Sequence, residues 1–168
     1  MDKTLTLPTQ INNYELISMI SSDAYSITYH VKNSTTSQAY VVEEFFPQFL
    51  VTRNNNGDIE LKNEKYAPYF TNGKNIFIQD FKAMRSIKNP SINSPLELFE
   101  ENETLYKVFP FKEYAPLSAP SKLFGTQQNL INFIKPLADA LKSMHEKNIH
   151  HGELHLKNIA KHVKVKSN

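Results

Sequence analysis

Cysteine is absent from the 168-residue chain, which excludes disulfide bonds and thiol catalysis and fits a reducing compartment. Long apolar runs are absent too, since no stretch approaches the ~18 apolar residues of a membrane span. The first residues, MDKTLTLPTQINN, lack the apolar stretch of a signal peptide. The formal net charge of +2 is too small to indicate a class of partner. We therefore expect a cytoplasmic protein with no membrane contact.

The chain is rich in apolar and aromatic residues. Hydrophobic residues make up 40% of it and include eleven Phe and eight Tyr, which is enough to form a core and argues against disorder. A basic run from Lys157 to Lys166 is interpreted as a solvated tail or strand edge. Nucleic-acid binding is disfavoured, because phosphate binding usually requires a broader basic face.

The first part of the chain shows the apolar patterns of β-strands. Tyr14 to Ile20 and Tyr25 to Val31 flank a short polar stretch and predict a hairpin, and AYVVEEFF predicts a third strand that ends at Pro47. The segment RNNNGD at 53–58 has the composition of a turn. Apolar residues at helical spacing from Asn75 to Ile87 predict an amphipathic helix, and LELFEENETLYKVFPF predicts a second hairpin.

The last part of the chain carries the clearest helical pattern. From Gln127 to Glu146, apolar residues recur at spacings of three and four. Pro116 and Pro120 lie in the loop before this helix and mark a boundary. We expect an α+β protein with three segments, which are a β-rich lobe at 1–111, a linker at 112–125 and a shorter helical lobe at 126–168.

The stretch HHGELHLKN at 150–158 resembles the catalytic loop of protein kinases, His-Arg-Asp-Leu-Lys-x-x-Asn. VVEEFFPQFL is similar to the Ala-Ile-Lys-Glu-Tyr-Phe-Pro stretch of a group of bacterial serine/threonine kinases, and an Arg-containing turn, Val51 to Arg53, follows it as in that group. The predicted elements also follow one another in the order found in this kinase family. The chain therefore resembles the family from about residue 11 to residue 168. The resemblance implies a kinase N-lobe, with an antiparallel sheet of about five strands and one helix, and a truncated, mainly helical C-lobe.

Carried over position by position, the resemblance implies a nucleotide site that has lost its functional groups. Ser21, Asp23 and Ser26 stand where the three glycines of the phosphate-covering loop are expected. Glu43 replaces the strand lysine that holds the α- and β-phosphates, and Asp80 falls at the helix glutamate that pairs with that lysine. We expect two facing carboxylates without a compensating cation. The alternative is that both are solvated or bridged by a nearby lysine.

The predicted catalytic loop keeps part of the family pattern at the expected spacing, but it lacks the catalytic aspartate. His151 and Asn158 match the family, whereas Glu153 stands where the catalytic aspartate is expected. The last two residues fall where the magnesium-binding Asp-Phe-Gly would begin, so that ligand is expected to be missing. The spacing of His151 and His155 fits a metal-binding pair only on a helix, and the kinase frame places both in a loop.

The resemblance therefore predicts a pseudokinase that binds ATP and magnesium weakly or not at all and holds no metal. Phe109, Pro110 and Phe111 still match the hinge, where Pro110 keeps the carbonyl that an adenine would use. We expect the protein to act as a protein-binding or regulatory module. Two alternatives stay open. One is a divergent or split phosphotransferase completed by a partner chain, and the other is an interaction or immunity protein that uses the fold without a kinase connection.

An apolar stripe on the long predicted helix indicates a protein partner. In a complete kinase, later C-lobe helices cover this stripe, and those helices are not expected here. Apolar surface left in water favours association by ~25 cal/mol per Å². We expect a protein partner or a homodimer to cover the following residues: Leu130, Phe133, Ile134, Leu137, Leu141 and Met144.

Overall fold

A computed structural model describes residues 10–116, 125–152, 154 and 158–162. The chain divides into two units. The first contains residues 1–85 and 94–111, and the second contains residues 86–93 and 112–168. The three-segment division expected from the sequence stays a prediction.

The first unit is built on an antiparallel sheet. Its strands within the described residues are β1 (Gln10–Ile11), β2 (Tyr14–Ser22), β3 (Ser26–Asn33), β4 (Ala39–Phe45), β5 (Val51–Arg53), β6 (Ile59–Leu61), β7 (Glu97–Glu101) and β8 (Thr104–Pro110). Six of them form one sheet in the order β1-β2-β3-β4-β8-β7, and β5 pairs with β6. The predicted hairpins and third strand are confirmed. The sheet has six strands instead of the expected five, because the short β1 adds to the edge of β2.

The segment at 51–61 differs from the prediction. Val51 to Arg53, expected as a turn, forms strand β5, because Val51 is buried and pairs with Leu61 of strand β6. The turn is confined to residues 54–58. There the side-chain oxygen of Asn54 accepts hydrogen bonds from two backbone N–H groups, as turn-forming Asn residues commonly do.

One face of the sheet forms the main core with the β5–β6 hairpin. Because successive strand residues point to opposite faces, alternate residues of the central strands are buried together. The fully buried members on these strands are Ile27, Tyr29, Val31, Val42, Tyr106 and Val108, and they pack with Val51 and Ile59 of the hairpin.

A buried ion pair joins this face of the sheet to the hairpin. Arg53 Nη2 donates to both carboxylate oxygens of Glu44, at 2.7 and 2.8 Å, and Arg53 Nη1 donates to the carbonyl of Gly57 at 2.6 Å. The hydroxyls of Tyr29 and Tyr106 donate to the same carboxylate. Such extra bonds offset the cost of burying the charges. The Glu and Arg that carry part of the family resemblance therefore form a structural pair.

Helix α1 (Ala67–Ser86) packs against the other face of the sheet. It begins at Ala67, eight residues before the predicted Asn75. The sequence pattern missed this start because residues 67–74 show no apolar residues recurring at helical spacing. A short 3-10 turn at Glu64–Tyr66 precedes it, and the side chain of Asn63 caps that turn by accepting from the N–H of Lys65. The predicted helix thus covers only the later part of the observed one.

Gly73 sets how closely helix α1 approaches the sheet. A Cβ atom at this position would lie 2.6 Å from Cζ of Phe45, a residue buried at the end of strand β4. The Phe45 ring also packs against Phe70 and Phe77 of the helix, with ring centroids 5.5 and 5.4 Å away. The ring is held on several sides, so it has little room to move aside.

The second unit contains helix α2 (Gln127–His145), which ends one residue before the predicted Glu146. The hydroxyl of Thr126 caps its start by accepting from the N–H of Asn129. Strand β9 (Tyr114–Pro116) pairs antiparallel with β10 (Ala160–His162). Of the helices in the described residues, none has the length and apolar character needed to cross a bilayer. The truncated C-lobe as a whole stays a prediction.

Replacing Gly73 with Ala should destabilise the protein by about 1 kcal/mol or more, although Ala favours helices over Gly by about 1 kcal/mol. The added methyl group clashes with the Phe45 ring, and overpacking of a core typically costs about 1–3 kcal/mol. Urea denaturation of both proteins measures the difference.

Gly125→Ala is the matched control, because a Cβ atom there has nothing within 4 Å. It should leave stability nearly unchanged. The double variant Gly73→Ala with Phe45→Leu should lose less stability than the sum of the losses of the two single variants, since the smaller side chain relieves the clash. A stabilising effect of Gly73→Ala alone would contradict the close packing described above.

Candidate functional site

Glu43 and Asp80, which the sequence places at one site, do come together in the structure. Glu43 lies on β4, directly opposite Lys107 on β8 in the antiparallel register. Lys107 Nζ is 2.6 Å from Asp80 Oδ2, on helix α1, and 3.7 Å from Glu43 Oε2. The expectation of two carboxylates without a compensating cation is therefore wrong. The alternative, a lysine that bridges them, is what the structure contains.

Lys107 was missed by sequence reasoning because its role depends on strand pairing. Its charge stands inside the apolar run LYKVF, and that unusual position is the one signal that the sequence offered. Its side chain is only 3% exposed, and Nζ lies 3.8 Å from the centre of the Phe77 ring. Burial of an ammonium is costly unless opposite charges and hydrogen bonds accompany it. Here two carboxylates and one aromatic face surround it.

The two carboxylates reach solvent, whereas the ammonium does not. Their side chains are 28% exposed for Glu43 and 53% exposed for Asp80. Burial raises the pKa of Glu43 above its usual value; the charge of Lys107 opposes this, and the charges of Asp80 and Asp23 add to it. An approaching ligand therefore meets negative charge first.

Asp23 lies in the turn between β2 and β3, where the resemblance places the second glycine. Its Oδ1 accepts the N–H groups of Tyr25 and Ser26, at 2.7 and 2.8 Å, and its Oδ2 accepts the Ser26 hydroxyl at 3.1 Å. Backbone N–H groups in such turns can bind the oxygens of an anion. Here the carboxylate of the same turn already occupies them.

The turn is also tied to the segment that follows β4. The N–H of Phe46 donates to the carbonyl of Tyr25 at 2.8 Å, and the N–H of Gln48 donates to the carbonyl of Ala24 at 3.1 Å. Ser21, the first glycine equivalent, lies on the exposed end of β2 opposite Thr28. The phosphate-covering loop of the resemblance is thus a short turn with its own internal cap.

The hinge residues lie at the end of β8. Phe109 and Pro110 pair with Val41 and Tyr40 of β4. Phe111 follows the strand, is partly exposed and stacks on the ring of His30 from β3, with centroids 4.7 Å apart. The predicted hinge segment therefore adjoins the strand that carries Glu43.

The remaining predicted site residues belong to the second unit. His151 and Asn158 are exposed, and Glu153 and His155 lie outside the described residues. The His145 and His150 rings have centroids 5.6 Å apart. Among the residues that the structure describes, no group of three or more His, Cys, Asp or Glu side chains is placed to hold a metal ion.

The predicted apolar stripe lies on helix α2 and is only partly covered. Leu130 and Ile134 are 38% and 48% exposed. The other four members, Phe133, Leu137, Leu141 and Met144, are half-buried. Exposed apolar surface is therefore greatest in the first half of the helix.

Similarity to solved structures agrees with this architecture. The chain superposes on PpkA-294 in its apo form with a TM-score of 0.78 and 25% identity, over 95% of this chain and 58% of that one. It superposes on the PknI kinase domain of Mycobacterium tuberculosis with a TM-score of 0.62 and 12% identity, over 95% of this chain and 59% of that one. The fold is kinase-like. No family model and no curated protein matches the sequence.

These neighbours are bacterial serine/threonine kinase domains, so the kinase-like fold expected from the sequence is confirmed. The chain spans less than two thirds of the length of each neighbour. The likeness concerns the fold.

Replacing Glu43 with Gln should stabilise the protein at neutral pH. Because the pKa of Glu43 is raised in the folded state, its ionised form costs stability at any pH above that raised value. As the pH falls through the raised pKa toward the ordinary value, the carboxyl takes up a proton and the cost disappears. The melting temperature of Glu43→Gln should exceed that of the wild type at pH 7, and the two should converge toward pH 4.

Glu15→Gln serves as the control for this prediction, because Glu15 is an exposed carboxylate on β2. It should leave the melting temperature close to that of the wild type across the same pH range. A Glu43→Gln protein less stable than the wild type at pH 7 would mean that attraction to Lys107 outweighs the burial of the carboxylate.

Proposed function

We propose that this chain is a catalytically inactive kinase-like protein, a pseudokinase, that acts as a protein-binding or regulatory module and does not use ATP. One observation carries the proposal. At the position of the kinase lysine, the side chains in contact with solvent are the carboxylates of Glu43 and Asp80, and the ammonium of Lys107 is buried behind them. A triphosphate would meet charges of its own sign.

The size of the electrostatic repulsion between a phosphate and these carboxylates supports the proposal. Two like charges about 4 Å apart repel each other by a few kcal/mol at an effective dielectric constant of about 20. The capped turn adds to it, because the N–H groups of Tyr25 and Ser26 already have the Asp23 carboxylate as acceptor. A phosphate would have to displace that carboxylate while lying beside its charge.

A second candidate is a divergent or split phosphotransferase. The favouring observation is the 2.6 Å pair between Lys107 and Asp80, because kinases need a lysine paired with an acidic helix residue. If Lys107 could turn toward a phosphate, it would supply the cation that the kinase lysine provides. We rank this candidate second because Lys107 already contacts two carboxylates and has almost no solvent access.

The helix α2 stripe supports the binding part of the proposal. Leu130 and Ile134 expose apolar surface that association would remove from water. We propose that a second copy of this chain covers this surface. A cytoplasmic location also stays a prediction.

ATP with magnesium should not raise the melting temperature by more than adenosine does. A ligand at about 100 times its dissociation constant adds about 2.7 kcal/mol, which corresponds to several degrees for a chain of this size. Adenosine is the matched ligand without phosphates, so the comparison isolates the phosphate contribution. A magnesium-dependent rise of several degrees with ATP alone would overturn the proposal and favour the phosphotransferase.

The apparent mass in light scattering should rise above that of a monomer as the protein concentration increases. Ile134→Lys should abolish this rise, because it places a charge in the exposed part of the stripe. Asn132→Lys is the matched control, since it adds the same charge at an exposed polar position of helix α2. A wild-type protein that stays monomeric at high concentration would contradict self-association through the stripe.

A further inference from the structure

We infer that residues 43 and 107 carry a transposed ion pair, in which Lys107 on β8 anchors helix α1 in place of a lysine on β4. Nothing in the sequence resemblance assigns a role to Lys107. It is a positioning residue, since it acts by holding the helix against the sheet. The inference does not depend on whether a nucleotide binds, so it can fail independently of the proposed function.

The strand register makes the exchange possible. Glu43 and Lys107 are direct partners in the antiparallel pair of β4 and β8. Side chains at directly opposed positions project from the same face of a sheet, so a lysine at either position points toward helix α1. Exchanging the two residues leaves the set of charges on this face unchanged.

The Lys107 contact differs from the other ties between helix α1 and the sheet in its burial. Lys74 on the helix pairs with Glu100 on β7, but these side chains are 21% and 60% exposed. Exposed ion pairs contribute little to stability, whereas a buried ammonium that loses an opposite charge is strongly destabilising, even where the carboxylate itself reaches solvent. Lys107 is buried and contacts Asp80 and the Phe77 ring, both on the helix. We therefore assign the main polar anchor to Lys107.

The anchor works without a ligand. The ammonium has its opposite charge from Asp80 of helix α1 and from Glu43 of β4, both within the same unit. No phosphate is needed to neutralise it. Helix α1 is consequently held against the sheet by the chain itself.

Charge exchange tests the transposition. Lys107→Glu places three carboxylates together and should lower the melting temperature strongly. Adding Glu43→Lys restores the original charge set with the positions exchanged, and should recover roughly half or more of the loss, as expected for two directly coupled residues. The result that would overturn the inference is a double variant no more stable than Lys107→Glu alone.

Hydrogen exchange on the folded protein supplies a second readout, which decides the question even if Lys107→Glu does not fold. Asp80 is half exposed, so Asp80→Asn should fold. It should speed amide exchange in the later part of helix α1 roughly tenfold and leave strands β2 and β3 unchanged. Glu100→Gln, which breaks the exposed Lys74 pair, is the control and should change exchange in the helix by less than about twofold. Equal exchange in the two variants would also overturn the inference.

Discussion

The buried ammonium of Lys107 is the interaction on which the arrangement of the site depends. A cation so far from water has to be matched by opposite charge, and Asp80 and Glu43 match it here from helix α1 and strand β4. Satisfying the cation therefore fixes the helix, the strand and both carboxylates relative to one another. The solvent-facing side of the cluster is negative, because the carboxylates of Asp80 and Glu43 reach solvent and the ammonium of Lys107 is buried behind them.

Strand β4 shows how two adjacent carboxylates can have different roles. Alternation along a strand sends Glu43 and Glu44 to opposite faces of the sheet, and each meets a cation there. Glu44 is fully buried against Arg53 and two tyrosine hydroxyls, so its face of the sheet belongs to the buried core. Glu43 is partly exposed beside Lys107, which leaves the other face chemically distinct. Gly73 lets helix α1 lie close to Phe45, which follows Glu44 on the same strand and packs on the helix side of the sheet.

The sequence predicted the elements that have a clear apolar pattern. Strands β3 and β4 and the second hairpin follow from runs rich in apolar, aromatic or β-branched residues, and helix α2 follows from apolar residues at helical spacing. The start of helix α1 did not follow, because its first turns lack a run of apolar residues at helical spacing. Strand β5 was taken for a turn, since three residues are too few for a pattern. Lys107 was missed because its partners are set by the register of two strands, which sequence periodicity does not encode.

The chain shares its fold with kinase domains, but the residues of its candidate site differ from the kinase pattern. Similarity of fold extends over nearly the whole chain, whereas the site itself holds a carboxylate-capped turn at Asp23 and a lysine, Lys107, between two carboxylates.

The most direct test of the central claim is nuclear magnetic resonance of the Lys107 side-chain ammonium in protein labelled with nitrogen-15. Held by Asp80 and Glu43, this group should give a slowly exchanging signal in the free protein, and the signal should not change when ATP and magnesium are added. An ammonium that exchanges rapidly with water, or a signal that shifts on addition of the nucleotide, would contradict the account.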